Sequence, residues 1–167
     1  MLVIGIDPGT ATTGYGIVEE NQRKEIRAIA YGIIKTEPYL PAEQRLLEIY
    51  EQLNELILLH RPDTGAVEKL FFSKNVTTAI AVGQARGVIL LSLATAHIPL
   101  VEYTPNEVKQ AVTGYGGADK KQVQEMIRTI LSLDSIPKPD DAADALAIAL
   151  CHIQSQGYSQ MAQIGGA

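Results

Sequence analysis

Four carboxylates interrupt apolar stretches of this sequence. Asp7 closes LVIGID, Glu68 closes TGAVE, and Asp141 and Asp144 fall in the segment DDAADALAIALCHI. Positions three apart on a helix share a face, so Asp141 and Asp144 would project together. A single carboxylate at a strand end is ordinarily solvated. Four gathered in one place raise one another's pKa or require a cation between them. Hard divalent ions such as Mg²⁺ are the usual match for carboxylate oxygens, and two of them about 4 Å apart clamp the attacking and leaving oxygens of a phosphodiester. Convergence of the four requires that the first and fourth strands be neighbours with the last helix beside them. Asp140 adjoins the group, but its place after Pro139 and ahead of the helix suits an N-cap.

The elements that would position these residues follow from periodicity. LVIGI is a continuous apolar run, as expected of a strand covered on both faces. GYGIV and IRAIAYGIIKT read as two further strands joined through ENQRK, so the chain opens with a meander. From about Pro41 to His60, Leu46, Ile49, Tyr50, Leu53, Leu56 and Ile57 follow helical spacing. TGAVE is a short strand, and a long helix runs from about Asn75 to Ala96. The strand IPLVEY comes next, then a short helix after Pro105, a glycine-rich turn, a helix from Asp119 to about Leu131, and a last helix after PKPDD. An order of β-β-β-α-β-α-β-α-α-α predicts an α/β fold, a mixed five-stranded sheet flanked by helices on both faces. Ala79, Gly83 and Gly87 recur at steps of four along the long helix, where small residues let another backbone come close.

At 167 residues the chain is long enough for one well-buried core. We expect a single domain over residues 1–154 and a disordered, uncharged tail over 155–167. The apolar runs fall short of the ~18 residues that cross a bilayer, and the N-terminus lacks a signal-peptide pattern, so the expected location is the cytoplasm with no membrane partner. Cys151, the one cysteine, lies in an apolar run and reads as a buried small hydrophobe. His60, His97 and His152 lack metal-ligand spacing. The net charge of -5 is unevenly spread: residues 69–138 carry eight Lys/Arg against five Asp/Glu, while residues 139–167 carry three acids and no base. A locally basic middle keeps a nucleic-acid partner open despite the overall sign.

GIDPGTATTGYGIV, AVEKLFFSKN, GQARGV, EVKQAVTGYGGADKKQV and DDAADALAIALCH, in this order and spacing, resemble the RuvC family of Holliday junction resolvases over residues 2–153. The resemblance implies a ribonuclease H-like fold. It also implies that Asp7, Glu68, Asp141 and Asp144 form a catalytic, metal-binding tetrad for two Mg²⁺ ions, with Mn²⁺ as a substitute. The family are homodimers that bind four-way junction DNA, work with RuvA and RuvB, and nick two strands of like polarity to leave 5'-phosphates and 3'-hydroxyls. An isologous dimer would present one site to each of two symmetry-related strands. The Ala79–Gly83–Gly87 face is a candidate dimer contact, with packing onto the chain's own sheet as the alternative.

Several other residues gain a reading from the same likeness. Phe71 and Phe72 follow Glu68 closely, and Phe71 is the candidate for stacking on a base near the junction, with Lys74 beside it on the backbone. Lys120 and Lys121 stand in the first turn of a helix, where the macrodipole disfavours cations and an arriving phosphate would remove the conflict. Lys109 is a further expected phosphate contact, and one of these lysines would stabilise charge at the scissile phosphate. Arg86 is left open between function and structure. Of the competing readings, an actin-like ATPase needs a second copy of the fold, a catalytically dead binding protein has no use for an intact tetrad, and a ribonuclease H-type enzyme would share the metal chemistry.

Overall fold

The structure, a computed structural model, describes residues 1–69 and 76–164. Its elements are β1 (Leu2–Asp7), β2 (Thr12–Glu20), β3 (Ile26–Lys35), α1 (Ala42–His60), β4 (Thr64–Glu68), α2 (Val76–Thr95), β5 (Leu100–Tyr103), α3 (Pro105–Thr113), α4 (Lys120–Ile130) and α5 (Asp140–Ile164). The sheet order is β3-β2-β1-β4-β5. β1 pairs antiparallel with β2 and parallel with β4, and β4 pairs parallel with β5. The mixed five-stranded sheet is therefore as expected, and β1 and β4 are neighbours.

Each face of the sheet carries its own core. Ile4, Ile6, Ile17 and Val67 point to one side, where they meet Ile49, Leu53 and Ile57 of α1 and Ala85, Ile89 and Leu93 of α2. Val3, Val18, Ala66 and Tyr103 point to the other, against α3, α4 and the run Leu146–Cys151 of α5. Alternation along β1 thus sends Val3, Gly5 and Asp7 to the α5 side.

α5 lies unusually close to that side. A Cβ on Gly5 would stand 2.2 Å from the Ala145 carbonyl oxygen, one on Gly14 2.0 Å from that of Asp141, and one on Gly16 2.8 Å from the Leu146 nitrogen. Only glycine admits the helix at that distance. Ala142, Ala143, Ala145, Ala147 and Ala149 complete the fit, all essentially buried. From Ala145 to Ile153 every residue of α5 is buried, so that stretch is packed on every side.

α5 runs on to Ile164, into the stretch read as an uncharged tail, because a helix already nucleated by packing extends at little cost through Gln, Ser, Met and Ala. One expectation is corrected here. Asp140 is the first residue of the helix rather than its N-cap. Its carboxylate is drawn sideways to α4, where it accepts from Gln124 Nε2 at 3.0 Å and lies 3.3 Å from Lys120 Nζ.

α2 departs from expectation in another way. Thr78–Thr95 is long and apolar enough to cross a membrane by length and composition, with mean hydropathy 1.4, yet only 22% of it is buried. Arg86 near its middle is ion-paired to Glu102 of β5, and Ala85, Ile89 and Leu93 are in the core. α2 is therefore a layer of this fold. Arg86 has the structural role.

Candidate metal centre

Asp7 ends β1, and Asp141 and Asp144 lie on the first turns of α5, held over it by the glycine contacts with β1 and β2. Oxygen atoms of Asp7, Asp141 and Asp144 lie within 4.8 Å of one another. Glu68 ends β4 one residue beyond the last β1–β4 pair, Ile6 with Val67, which places it alongside Asp7 at the same edge. Three of the four acids thus converge tightly. The fourth flanks them.

The electrostatics register the crowding. Burial first, then the charges of Glu68, Asp144 and Asp141, push the Asp7 carboxyl up to about 8 against the pull of Lys120. Glu68 is raised by burial and by Asp144, opposed by Lys109 and Lys120. Asp144 is raised by burial as well, despite its hydrogen bond from Lys120. Carboxylates held in this state are what a divalent cation relieves, since its charge replaces the proton. The all-oxygen donor set fits a hard ion such as Mg²⁺.

Lys120 donates to Asp144 Oδ2 at 3.1 Å and also pairs with Asp140. Burial disfavours its charge, but the hydrogen bonds to Asp144 and Asp140 hold its pKa above the ordinary lysine range. The conflict with the α4 macrodipole is answered from inside the molecule, by these acids and by Asp119, whose side chain caps the helix through Gln122 N at 2.9 Å. Lys121 is exposed beside it.

The acids divide between two clefts. Glu68 and Asp144 line one of 230 Å³ with Lys109 and Lys120. Asp7 and Asp141 line another of 460 Å³ with Thr10, Thr12 and Arg45. A larger cleft of 700 Å³ between α3 and α5 is lined by Tyr103, Glu107, Gln110 and Ser155 among others, and by none of the four acids, so size does not mark the site.

Of the residues singled out from sequence, the structure gathers the four acids at one edge, with Lys109 and Lys120 lining the cleft of Glu68 and Asp144. Phe71, Phe72 and Lys74 lie outside the described residues. The reading from sequence missed Thr12, whose hydroxyl donates to Asp141 Oδ2 at 2.8 Å and fixes that carboxylate. It also missed the scaffold of the β1–β2 turn. Thr10 donates to the Ala81 carbonyl at 2.8 Å, Thr13 to that of Gly9 at 2.6 Å, and Thr36 to that of Thr10 at 2.6 Å. The signal was present in GTATTG: three hydroxyls packed into a turn directly after a buried carboxylate. Cys151 is buried as expected, and burial pushes its thiol up to about 11.

The sequence profile of the RuvC crossover junction endodeoxyribonucleases matches residues 3–152. The chain belongs to the RuvC family. The RuvC of Chloroflexus aurantiacus is 60% identical over 152 residues, 91% of this chain and 92% of its own length. That of Desulforamulus reducens is 55% identical over 154 residues, 92% and 94% of the two chains. A solved structure of T. thermophilus RuvC in complex with a Holliday junction substrate covers 96% of each chain at 37% identity, with a TM-score of 0.85. The fold is accordingly the ribonuclease H-like arrangement. The activity of the RuvC family is that of a metal-dependent nuclease.

Proposed function

We propose that this chain resolves Holliday junctions, nicking two strands of like polarity symmetrically with two Mg²⁺ ions per site, for which Mn²⁺ can substitute. The observation that carries this reading is the convergence of Asp7, Asp141 and Asp144, with Glu68 beside them, on the boundary between two clefts that each hold a basic side chain. The setting is the cytoplasm, with RuvA and RuvB as working partners.

Bound among these carboxylates, the ions supply Lewis-acid stabilisation of the charge that builds on the phosphate oxygens. The chain's own residues do the positioning. Thr12 holds Asp141 in one orientation, the glycine contacts hold α5, and Lys120 keeps a cation at the edge of the centre. Water adds to phosphorus, the bond to the 3' oxygen breaks, and that oxygen takes up a proton, leaving a 5'-phosphate and a 3'-hydroxyl. Lys109, Lys120 and Lys121 are the backbone contacts, and Phe71, Phe72 and Lys74, just after Glu68, are the groups that meet the junction.

A second copy of the chain is proposed on α2. Ile80 and Leu91 are 58% exposed, and a Cβ on Gly87 between them would meet nothing within 4 Å. Positions 80, 84, 87 and 91 follow one helical stripe. An isologous contact there would set two sites against the two-fold of a junction.

The test is cleavage of a synthetic four-way junction beside a linear duplex and an RNA–DNA hybrid, each with Mg²⁺ and with EDTA. Paired symmetric nicks in the junction alone, lost with EDTA, are expected. Cleavage of the hybrid instead would move the substrate to RNA.

A further inference from the structure

Arg45 of α1 is unaccounted for by this description. It lines the 460 Å³ cleft with Asp7 and Asp141, alongside Thr10, Thr12, Thr78 and Ala81. Among the residues that line this cleft it is the one cation. Its Nε donates to Thr36 Oγ1 at 2.8 Å. The Thr36 hydroxyl in turn donates to the Thr10 carbonyl, and its backbone N–H to the Ala11 carbonyl at 3.1 Å. The guanidinium is thus anchored to the turn that follows Asp7. Among the described residues Arg45 has no ion pair with an acid and no other side-chain hydrogen bond, so both Nη groups keep their donors.

A half-buried guanidinium fixed through Nε presents a two-pronged donor, the geometry that takes a phosphate in bidentate fashion. The charge pattern calls for one here. A strand drawn across the carboxylates carries a negative charge at every linkage. On the Glu68–Asp144 side Lys109 and Lys120 receive it, whereas on the Asp7–Asp141 side Arg45 is the one cation among the described lining residues.

We infer that Arg45 binds a backbone phosphate next to the scissile one, on the side of the metal centre opposite Lys109 and Lys120, so that the cleaved strand is gripped on both flanks. The inference rests on the resolvase reading and adds a strand path to it. The alternative is that Arg45 only braces Thr36 and the turn.

The experiment pairs Arg45→Gln with junctions that carry one uncharged methylphosphonate linkage at each of the positions flanking the nick. Half-saturating protein concentration and salt dependence are read from single-turnover cleavage with Mg²⁺. Arg45→Gln is expected to raise the half-saturating concentration about tenfold and to reduce the salt slope by about one phosphate contact, ~0.9. At one linkage the neutral substitution should weaken wild type by a similar factor and cost the variant nothing further. Arg45→Lys should restore the salt slope, and if Arg45→Gln fails to fold, Arg45→Met, which keeps the apolar stem and removes the charge, takes its place. Equal penalties in wild type and the uncharged variant at every linkage, or an unchanged salt slope in that variant, would overturn the inference and leave Arg45 as a brace. A wild-type protein that does not nick the unmodified junction would overturn the resolvase reading, and this inference with it.

Discussion

On the α5 side of the sheet, three glycines bring a helix into backbone contact, while on the α2 side a glycine faces open space. A Cβ on Gly5, Gly14 or Gly16 would strike α5 within 2.0–2.8 Å, but one on Gly87 would touch nothing. The same residue type therefore builds an interior on one face and leaves a bare surface on the other. The interior is where Asp141 and Asp144 must be held over Asp7 with little slack. The bare surface, apolar and uncovered at Ile80 and Leu91, is where a second chain is proposed to sit.

The sharpest way to break this contrast is Gly14→Ala. The added methyl would meet the Asp141 carbonyl oxygen, a backbone atom that moves only with the helix. A loss of about 1–3 kcal/mol is expected from overpacking. Cleavage should fall about 100-fold, since a shift near 1 Å in a catalytic group has that effect. Thermal denaturation and single-turnover cleavage read the two. Normal cleavage by a stable Gly14→Ala protein would show that the tight contact does not position the acids.

Leu91→Glu probes the other face. Its side chain is 58% exposed, so the protomer should keep its stability to within ~0.5 kcal/mol, whereas a dimer through this stripe should dissociate. Sedimentation would show the monomer, and the junction would receive single nicks instead of paired ones. A variant still dimeric at micromolar concentration would move the interface elsewhere.

The α5 side also stores electrostatic strain, which Asp7→Asn should release. The Asp7 carboxyl titrates near 8 in the folded protein against an ordinary value of 3.8. Below about pH 4 it is neutral folded or unfolded and has no effect on stability. As pH rises toward 8 the unfolded chain ionises freely and the folded one resists, so metal-free stability is lost through that window. Asp7→Asn removes this loss, and without metal it should exceed wild type by about 1–3 kcal/mol at pH 7.5, after allowance for solvent screening. The gap should close toward pH 5, and Mg²⁺ should shrink it by stabilising wild type alone. Melting curves in EDTA that coincide at every pH would mean that the acids are not strained. Loss of cleavage is the expected outcome in this variant in either case.

Much of this was legible in the sequence, and the exceptions share a cause. Strand and helix order follow from periodicity, and the four acids stood out because each broke an apolar pattern. Gly14 and Gly16 admit α5, which arrives from more than a hundred residues away. Lys120 looked at odds with its helix dipole, and that clue was sound, but its acidic partners Asp140 and Asp144 come from another helix. Thr12 and Arg45 were invisible for the same reason, because their roles arise where a turn, α1 and α5 meet. Asp140 was assigned a cap by local rules, and a tertiary hydrogen bond with Gln124 outweighed them.

The smallest expected effect is also the cleanest comparison. Gly87→Ala makes on α2 the chemical change that Gly14→Ala makes on β2, but at a position where the new methyl has nothing to strike. Inside a helix, alanine is favoured over glycine by about 0.5–1 kcal/mol through the unfolded chain's lost freedom. The isolated protomer should therefore gain stability, opposite in sign to the loss at Gly14, and measurement at concentrations low enough to dissociate any dimer isolates that gain. Repeating the melt at high concentration then reads the interface. If a second backbone approaches α2 at Gly87, the methyl obstructs it and the gain should shrink or reverse as the chains associate. A gain that stays constant with concentration would mean that any partner on this face keeps its distance from Gly87, leaving the contact to Ile80 and Leu91.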